Sequence, residues 1–168
     1  MTPSRISALV FDVDGTLLDS CGRMTQRTYE ALRDCHERGI ALYVATARPK
    51  RLTLRPDEVP GDVSFLTNKG AFYNGAEALD SELGFERHWM VPAELVRELT
   101  AFVADAAPGV DVALQHRELW HSFRLPLRDD EHAEWGFADH ELLPFEVARH
   151  HDCSKIVAWH GSRELTEL

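Results

Sequence analysis

The sequence predicts an α/β protein built on a parallel sheet, and three stretches carry that expectation. Ala8 to Phe11 is a short apolar run that ends in Asp12 and Asp14, with Gly15 and Thr16 behind them. Met24 to Arg38 carries Tyr29, Leu32 and Cys35 at three-residue spacing, a helical pattern closed by Gly39. Ile40 to Ala45 is a second apolar run, and it too ends in small polar residues, Thr46-Ala47-Arg48-Pro49. Strand, helix and strand in that order form a βαβ unit, with parallel strands and a right-handed crossover. Both strand ends then lie side by side on one edge of the sheet.

Each element follows from its residues. In an extended chain Asp12 and Asp14 point to one side. Two carboxylates held that close repel unless a cation or a shared proton lies between them. Gly15 permits the tight turn after the strand. Thr16 adds a hydroxyl and a backbone N–H at the carboxyl end of the strand, where open α/β sheets bind their ligands. Thr25 or Thr28 caps the helix. The stretch from Asp14 to Thr46 is consumed by one helix and one strand, so no helical domain fits between those two residues.

Val63 to Thr67 reads as a third short strand, followed by a turn at Asn68-Lys69-Gly70-Ala71, and Asn74-Gly75 reads as a hairpin turn. Lys69 either offers positive charge near the strand ends or is an exposed turn lysine, and exposure is the usual case. From about Gly84 the character changes. Val91-Pro92-Ala93-Glu94 opens a helix whose apolar face is Leu95, Leu99, Phe102 and Val103. Val110 to Leu114, Leu119 to Leu125 and Ile156 to Trp159 read as strands. Ser162, with Glu164 and Leu165, reads as the cap and first turn of another helix.

Composition narrows the function classes. A chain of 168 residues makes one ordinary domain or two small ones. Its 44% hydrophobic and 27% charged residues are those of a soluble globular protein. The net charge of −10 argues against a nucleic-acid partner held by a basic surface. It also repels a phosphorylated ligand unless the site is locally positive or holds a metal. No apolar run is long enough to span a bilayer, so no membrane role is expected, and no signal-peptide region precedes the first strand. Cys21, Cys35 and Cys153 are odd in number and lack zinc spacing, so they read as free thiols of a cytoplasmic protein. The histidines show no metal-ligand spacing either. In the densest cluster, His150-His151-Asp152-Cys153, strand neighbours would face opposite sides. Asp129-Asp130-Glu131 reads as a solvated loop rather than a magnesium site.

Residues 12–17, Asp-Val-Asp-Gly-Thr-Leu, resemble the first motif of the haloacid dehalogenase (HAD) superfamily of phosphoryl-transfer enzymes. Thr46 resembles the second motif, a strand closing on Ser or Thr. Ala45-Thr46-Ala47-Arg48 resembles the Ala-Thr-Gly-Arg of the Cof-like branch, with Ala47 in place of glycine. Asn68 to Ala71 resembles that branch's Asn-Gly-Ala turn with Lys69 inserted. The resemblance implies a Rossmann-like parallel-sheet core, residues 1–83, with an α+β cap inserted after the third strand, residues 84–168. It implies that Asp12 is the nucleophile that becomes an aspartyl-phosphate and that Asp14 is the general acid/base. Mg²⁺ would be held by the Asp12 carboxylate and the Asp14 backbone carbonyl, with Thr46, Ala47 and Arg48 on the substrate phosphate.

The implied function is Mg²⁺-dependent hydrolysis of a small phosphate monoester, the substrate being a small phosphorylated metabolite. A phosphomutase or other phosphotransferase is the enzymatic alternative, and a catalytically silent binding or regulatory module the non-enzymatic one. The family's later shielding lysine and acidic motif are not recognisable. Lys155 is the only late lysine, and it opens a strand. The chain therefore reads as lacking the C-terminal part of the family, with an incomplete core, and self-association through uncovered sheet is expected.

Overall fold

A computed structural model describes residues 6–125 and 141–160, and the chain divides into two units, Met1–His88 and Trp89–Leu168. The first unit runs β1 (Ala8–Phe11), α1 (Gln26–Glu37), β2 (Ala41–Ala45), α2 (Ser64–Thr67), β3 (Lys69–Phe72), β4 (Glu77–Asp80) and β5 (Phe85–His88). The strands form one sheet in the order β1-β2-β3-β4-β5. The first three are parallel, and β4 and β5 add antiparallel. This is the α/β architecture expected from the βαβ reading.

Alternation along the strands decides which face is buried. Leu9 and Phe11 of β1 and Leu42 and Val44 of β2 pack with Leu32 of α1, Leu66 of α2 and Phe72. The Thr25 side chain caps α1 by accepting the Thr28 N–H at 3.1 Å. Close approach of β2 and β3 requires a glycine: a Cβ on Gly70 would lie 2.2 Å from the Val44 carbonyl oxygen. The opposite face of the sheet is open to solvent at Val10 (67% exposed), Leu83 and Phe85.

Three expectations are corrected. Val63 to Thr67 is not a strand. Asp62 accepts the Ser64 N–H and hydroxyl, each at 2.9 Å, and a helical turn starts there with Val63 and Leu66 both buried. So short an apolar run satisfies helical and extended spacing alike. The third strand lies just beyond, and Lys69 is its first residue, only 5% exposed and paired with Glu82 rather than projecting from a turn.

The third correction falls in the second unit. It runs α3 (Ala93–Ala106), β6 (Val110–His116), β7 (Trp120–Phe123), α4 (Phe145–Ala148) and β8 (Lys155–His160), with an antiparallel sheet ordered β7-β6-β8. α3 buries Val96 and Thr100 and packs Val103 against the core, while Leu95, Leu99 and Phe102 form an exposed stripe beside them. Two overlapping i, i+4, i+7 stripes compete on this helix. Thr100 is tolerated on the buried stripe because its hydroxyl donates back to the Val96 carbonyl at 2.8 Å and so is satisfied.

Val112, Leu114, Ala148 and Cys153 complete that core. All three cysteines are free, and burial pushes the Cys153 thiol up to about 12. No helix among the described residues is long and apolar enough to cross a membrane. The acidic run Asp129-Asp130-Glu131, His132, His140 and the expected helix at Ser162 lie outside the described residues.

Candidate active site

β1 ends at Phe11, and the next residue but one, Val13, is drawn fully into the core. Its carbonyl accepts the N–H groups of Thr16, Leu17 and Leu18 at 3.3, 3.0 and 2.9 Å, and Gly15 turns the chain at φ 74°. Burying Val13 forces its two neighbours outward, so Asp12 and Asp14 both reach solvent. They line an open cleft of about 530 Å³ with Ala45, Thr46, Ala47, Ala71, Asn74 and Gly75.

The far wall of the cleft is the turn between β3 and β4. Tyr73 and Asn74 adopt the left-handed conformation, φ 53° and 59°, which residues other than glycine rarely do. Hydrogen bonds hold them there: Tyr73 N–H donates to the Arg48 carbonyl at 3.2 Å and Asn74 N–H to the Thr46 carbonyl at 3.1 Å. The loop after β2 and the turn after β3 are thereby tied into one rim. Asn74-Gly75 is the hairpin turn expected from the sequence. Its place in the cleft wall was not expected, because the resemblance drew attention to Asn68 instead.

Thr46 lies buried at the end of β2. Its hydroxyl accepts the Arg48 N–H at 3.1 Å, which leaves its own proton to donate. Arg48 does not stand open beside it. Its Nε and Nη2 donate to the two oxygens of Asp14 at 3.0 and 2.7 Å, and its Nη1 donates to both oxygens of Glu58 and to the Leu52 carbonyl, each at 2.9 Å. Burial would lower the affinity of this guanidinium for its proton, but the bonds to Asp14 and Glu58 outweigh it, and its pKa is raised further. Glu58 was not legible in the sequence, where it sits in an irregular Pro-Asp-Glu-Val-Pro stretch with no spacing to mark a partner.

The Asp12 carboxylate, by contrast, makes no hydrogen bond or ion pair with any described residue. One aspartate of the pair is clamped and the other is open. The donor set at this strand end is the Asp12 carboxylate and the Asp14 carbonyl, both hard oxygens. No group of three or more His, Cys, Asp or Glu suited to a metal occurs among the described residues. These donors fit an ion that keeps most of its waters and binds through one or two protein oxygens, which is the habit of Mg²⁺. In the second unit the His150-His151-Asp152 cluster serves the fold: Asp152 accepts the Ala93 N–H at 2.9 Å at the start of α3, and His151 meets the Trp120 ring edge-on.

The sequence profile of the haloacid dehalogenase-like hydrolases matches residues 9–166. Among solved structures, the chain is similar to the HAD subclass IIB sugar phosphatase BT4131, with 26% identity and a TM-score of 0.68 over 90% of this chain and 58% of that one. It is similar to the HAD phosphatase BT1666 from Bacteroides thetaiotaomicron, with 27% identity and a TM-score of 0.57 over 79% of this chain and 47% of that one. The fold also matches TM0651 from Thermotoga maritima, with 16% identity and a TM-score of 0.67 over 92% and 56% of the two chains. The chain thus spans about half the length of these structures. No curated protein matches it in sequence.

Proposed function

The chain belongs to the haloacid dehalogenase-like hydrolases, and on that premise we propose that it is a Mg²⁺-dependent phosphatase that hydrolyses a small phosphate monoester through an aspartyl-phosphate on Asp12. The observation that carries this reading is the unequal pair of aspartates. Asp12 faces the cleft with its carboxylate open, while Asp14, two residues on, is oriented by Arg48. An open carboxylate at a strand end can act as a nucleophile, and the one held beside it has a fixed position at the same cleft; as the acid of the first step it enters protonated, with one oxygen released from Arg48 to carry the proton.

In the first step an Asp12 oxygen forms a bond to phosphorus as the bond to the leaving oxygen breaks, and that oxygen takes a proton from Asp14. In the second, Asp14 accepts a proton from water as the water oxygen attacks the same phosphorus, releasing inorganic phosphate and restoring Asp12. The Thr46 hydroxyl donates to the transferring phosphoryl group, with Ala47 beside it on the cleft wall. Arg48 enters through Asp14, which already engages its Nε and Nη2. The Asp12 carboxylate and the Asp14 carbonyl would hold Mg²⁺, which would supply the charge neutralisation that lets an anionic nucleophile approach a phosphate.

The first unit is the core in this reading and the second the cap that selects the substrate. A small phosphorylated metabolite is the substrate class, and sugar phosphates are the first to try, given the similarity to a sugar phosphatase. Three free thiols suit a reducing cytoplasm. A second reading has one observation in its favour: no cluster of three metal-ligating side chains occurs among the described residues. On that reading the chain is a silent binding module that retains half a site. A phosphomutase or other phosphotransferase would share the first step and differ in the acceptor.

Turnover of an aryl phosphate and a panel of sugar phosphates, with and without Mg²⁺, separates the three. The phosphatase requires Mg²⁺-dependent phosphate release that disappears in Asp12→Asn. A silent module binds phosphate without turnover, and a phosphotransferase passes the group to an added alcohol.

A further inference from the structure

We propose that Glu58 is a positioning residue, acting through Arg48 to fix the carboxylate of Asp14 at the cleft; the inference rests on the phosphatase reading above. Glu58 is only 6% exposed, and both of its oxygens accept from Arg48 Nη1. The Arg55 N–H also donates to Glu58 Oε2 at 2.9 Å. Its backbone carbonyl accepts the Met24 N–H at 2.8 Å, so the anchor is joined to the segment that follows Asp14.

A guanidinium is planar, and fixing one edge fixes the direction of the other. With Nη1 held by Glu58 and Leu52, the Nε–Nη2 edge has one orientation, and that edge grips both Asp14 oxygens. Asp14 is 58% exposed and without this grip would sample several rotamers. The chain therefore spans three side chains, from a buried carboxylate to the proposed acid/base.

Stability alone is a poor account of the arrangement. A buried ion pair is in general no better than an apolar pair of similar volume, and often worse. What a buried pair does provide is a single geometry. The network also gives Arg48 a different task from the one its sequence position implies. Its donors are engaged by carboxylates and a carbonyl, so its contribution to a phosphate runs through the orientation of Asp14.

The test combines kinetics with a readout that needs no turnover. Glu58→Gln should lower kcat by about 10²-fold with KM within about twofold, because misplacement of a reacting group acts on the chemical step. Glu58→Asp keeps the charge but shortens the reach, and should recover part of that loss. In an Asp14→Asn background Glu58→Gln should cost nothing further. Separately, the Arg48 Nε–H should exchange slowly with solvent in nitrogen-edited NMR of the wild type, and quickly in both Asp14→Asn and Glu58→Gln.

An equal loss from Glu58→Gln in the Asp14→Asn background would overturn the positioning role, and so would an Arg48 signal indifferent to Glu58. Wild-type rates in Asp12→Asn would instead overturn the phosphatase reading, and the Arg48 signal would still decide whether Glu58 holds the partner of Asp14.

Discussion

Replacing Arg48 by methionine tests the energetics of the network. The substitution keeps most of the aliphatic volume and removes the guanidinium. Asp14 is more than half exposed, so water replaces its lost partner at little cost. Glu58 is buried, and it keeps only the Arg55 backbone N–H at 2.9 Å and the Arg55 Nε at 3.3 Å. Removing one partner of a buried pair costs about 3–5 kcal/mol. The surviving Arg55 contacts place Arg48→Met at the lower end, about 3 kcal/mol.

The chain supplies its own probe for the measurement. All three tyrosines lie in Met1–His88 and all four tryptophans in Trp89–Leu168. Tyrosine absorbance therefore follows the first unit during urea unfolding. With a slope of about 2 kcal/mol per molar urea, the tyrosine midpoint should fall by about 1.5 M. The double variant Arg48→Met/Glu58→Leu removes the stranded charge as well, and should recover most of that shift. A midpoint moved by less than about 0.3 M in the single variant, or a double variant as unstable as the single, would show that Arg48 does not neutralise a buried Glu58 charge.

Other outcomes follow from the same structure. Gly70→Ala should lower the stability of the first unit by about 3 kcal/mol, read from the same tyrosine transition, because the new Cβ meets the Val44 carbonyl at 2.2 Å and the two backbones must part; a neutral effect would mean that β2 and β3 do not pair as described. For Asp80, burial raises the carboxyl pKa, but hydrogen bonds from the Tyr43 hydroxyl and the Leu83 and Glu82 N–H groups outweigh it, and the folded-state value is lowered. A group with a depressed folded-state pKa stabilises above its unfolded value and loses that contribution as pH falls through the folded one. Wild-type stability should therefore drop more steeply on acidification than that of Asp80→Asn, and parallel curves would show that Asp80 contributes nothing. The open sheet face around Val10, together with the edge of β1, which pairs with no other strand among the described residues, should promote self-association that Val10→Lys reduces in light scattering; a monomer at all concentrations would exclude it.

The sequence was legible where local chemistry and tertiary structure agree. The run Ala8 to Phe11 had only one way to end, at two aspartates and a glycine, and α1 announced itself by spacing, cap and closing glycine. Legibility failed where several conformations satisfied the same pattern. Val-Ser-Phe-Leu-Thr fits a turn of helix as well as a strand, and Asp62 decides the matter by bonding Ser64. On α3 the more apolar stripe, Leu95-Leu99-Phe102, lost to one that contains Thr100. At the candidate site, Asp12, Asp14, Thr46 and Ala47 were legible because each stands at the end of a strand. Glu58, and the place of the Tyr73-Asn74 turn in the cleft wall, were not, since a partner many residues away leaves no periodic trace.

Covalent trapping decides whether Asp12 carries the phosphoryl group, as proposed above. The protein would be incubated with Mg²⁺ and a radiolabelled phosphate monoester, quenched in acid, and digested for peptide mapping. An acyl phosphate on Asp12 predicts label that survives acid, is released by hydroxylamine, maps to the peptide containing Asp12 and Asp14, and is absent from Asp12→Asn. With an aryl phosphate, whose leaving oxygen departs without a proton from Asp14, it should accumulate in Asp14→Asn, where water is no longer activated. Label on any other residue, or undiminished turnover by Asp12→Asn, would contradict it.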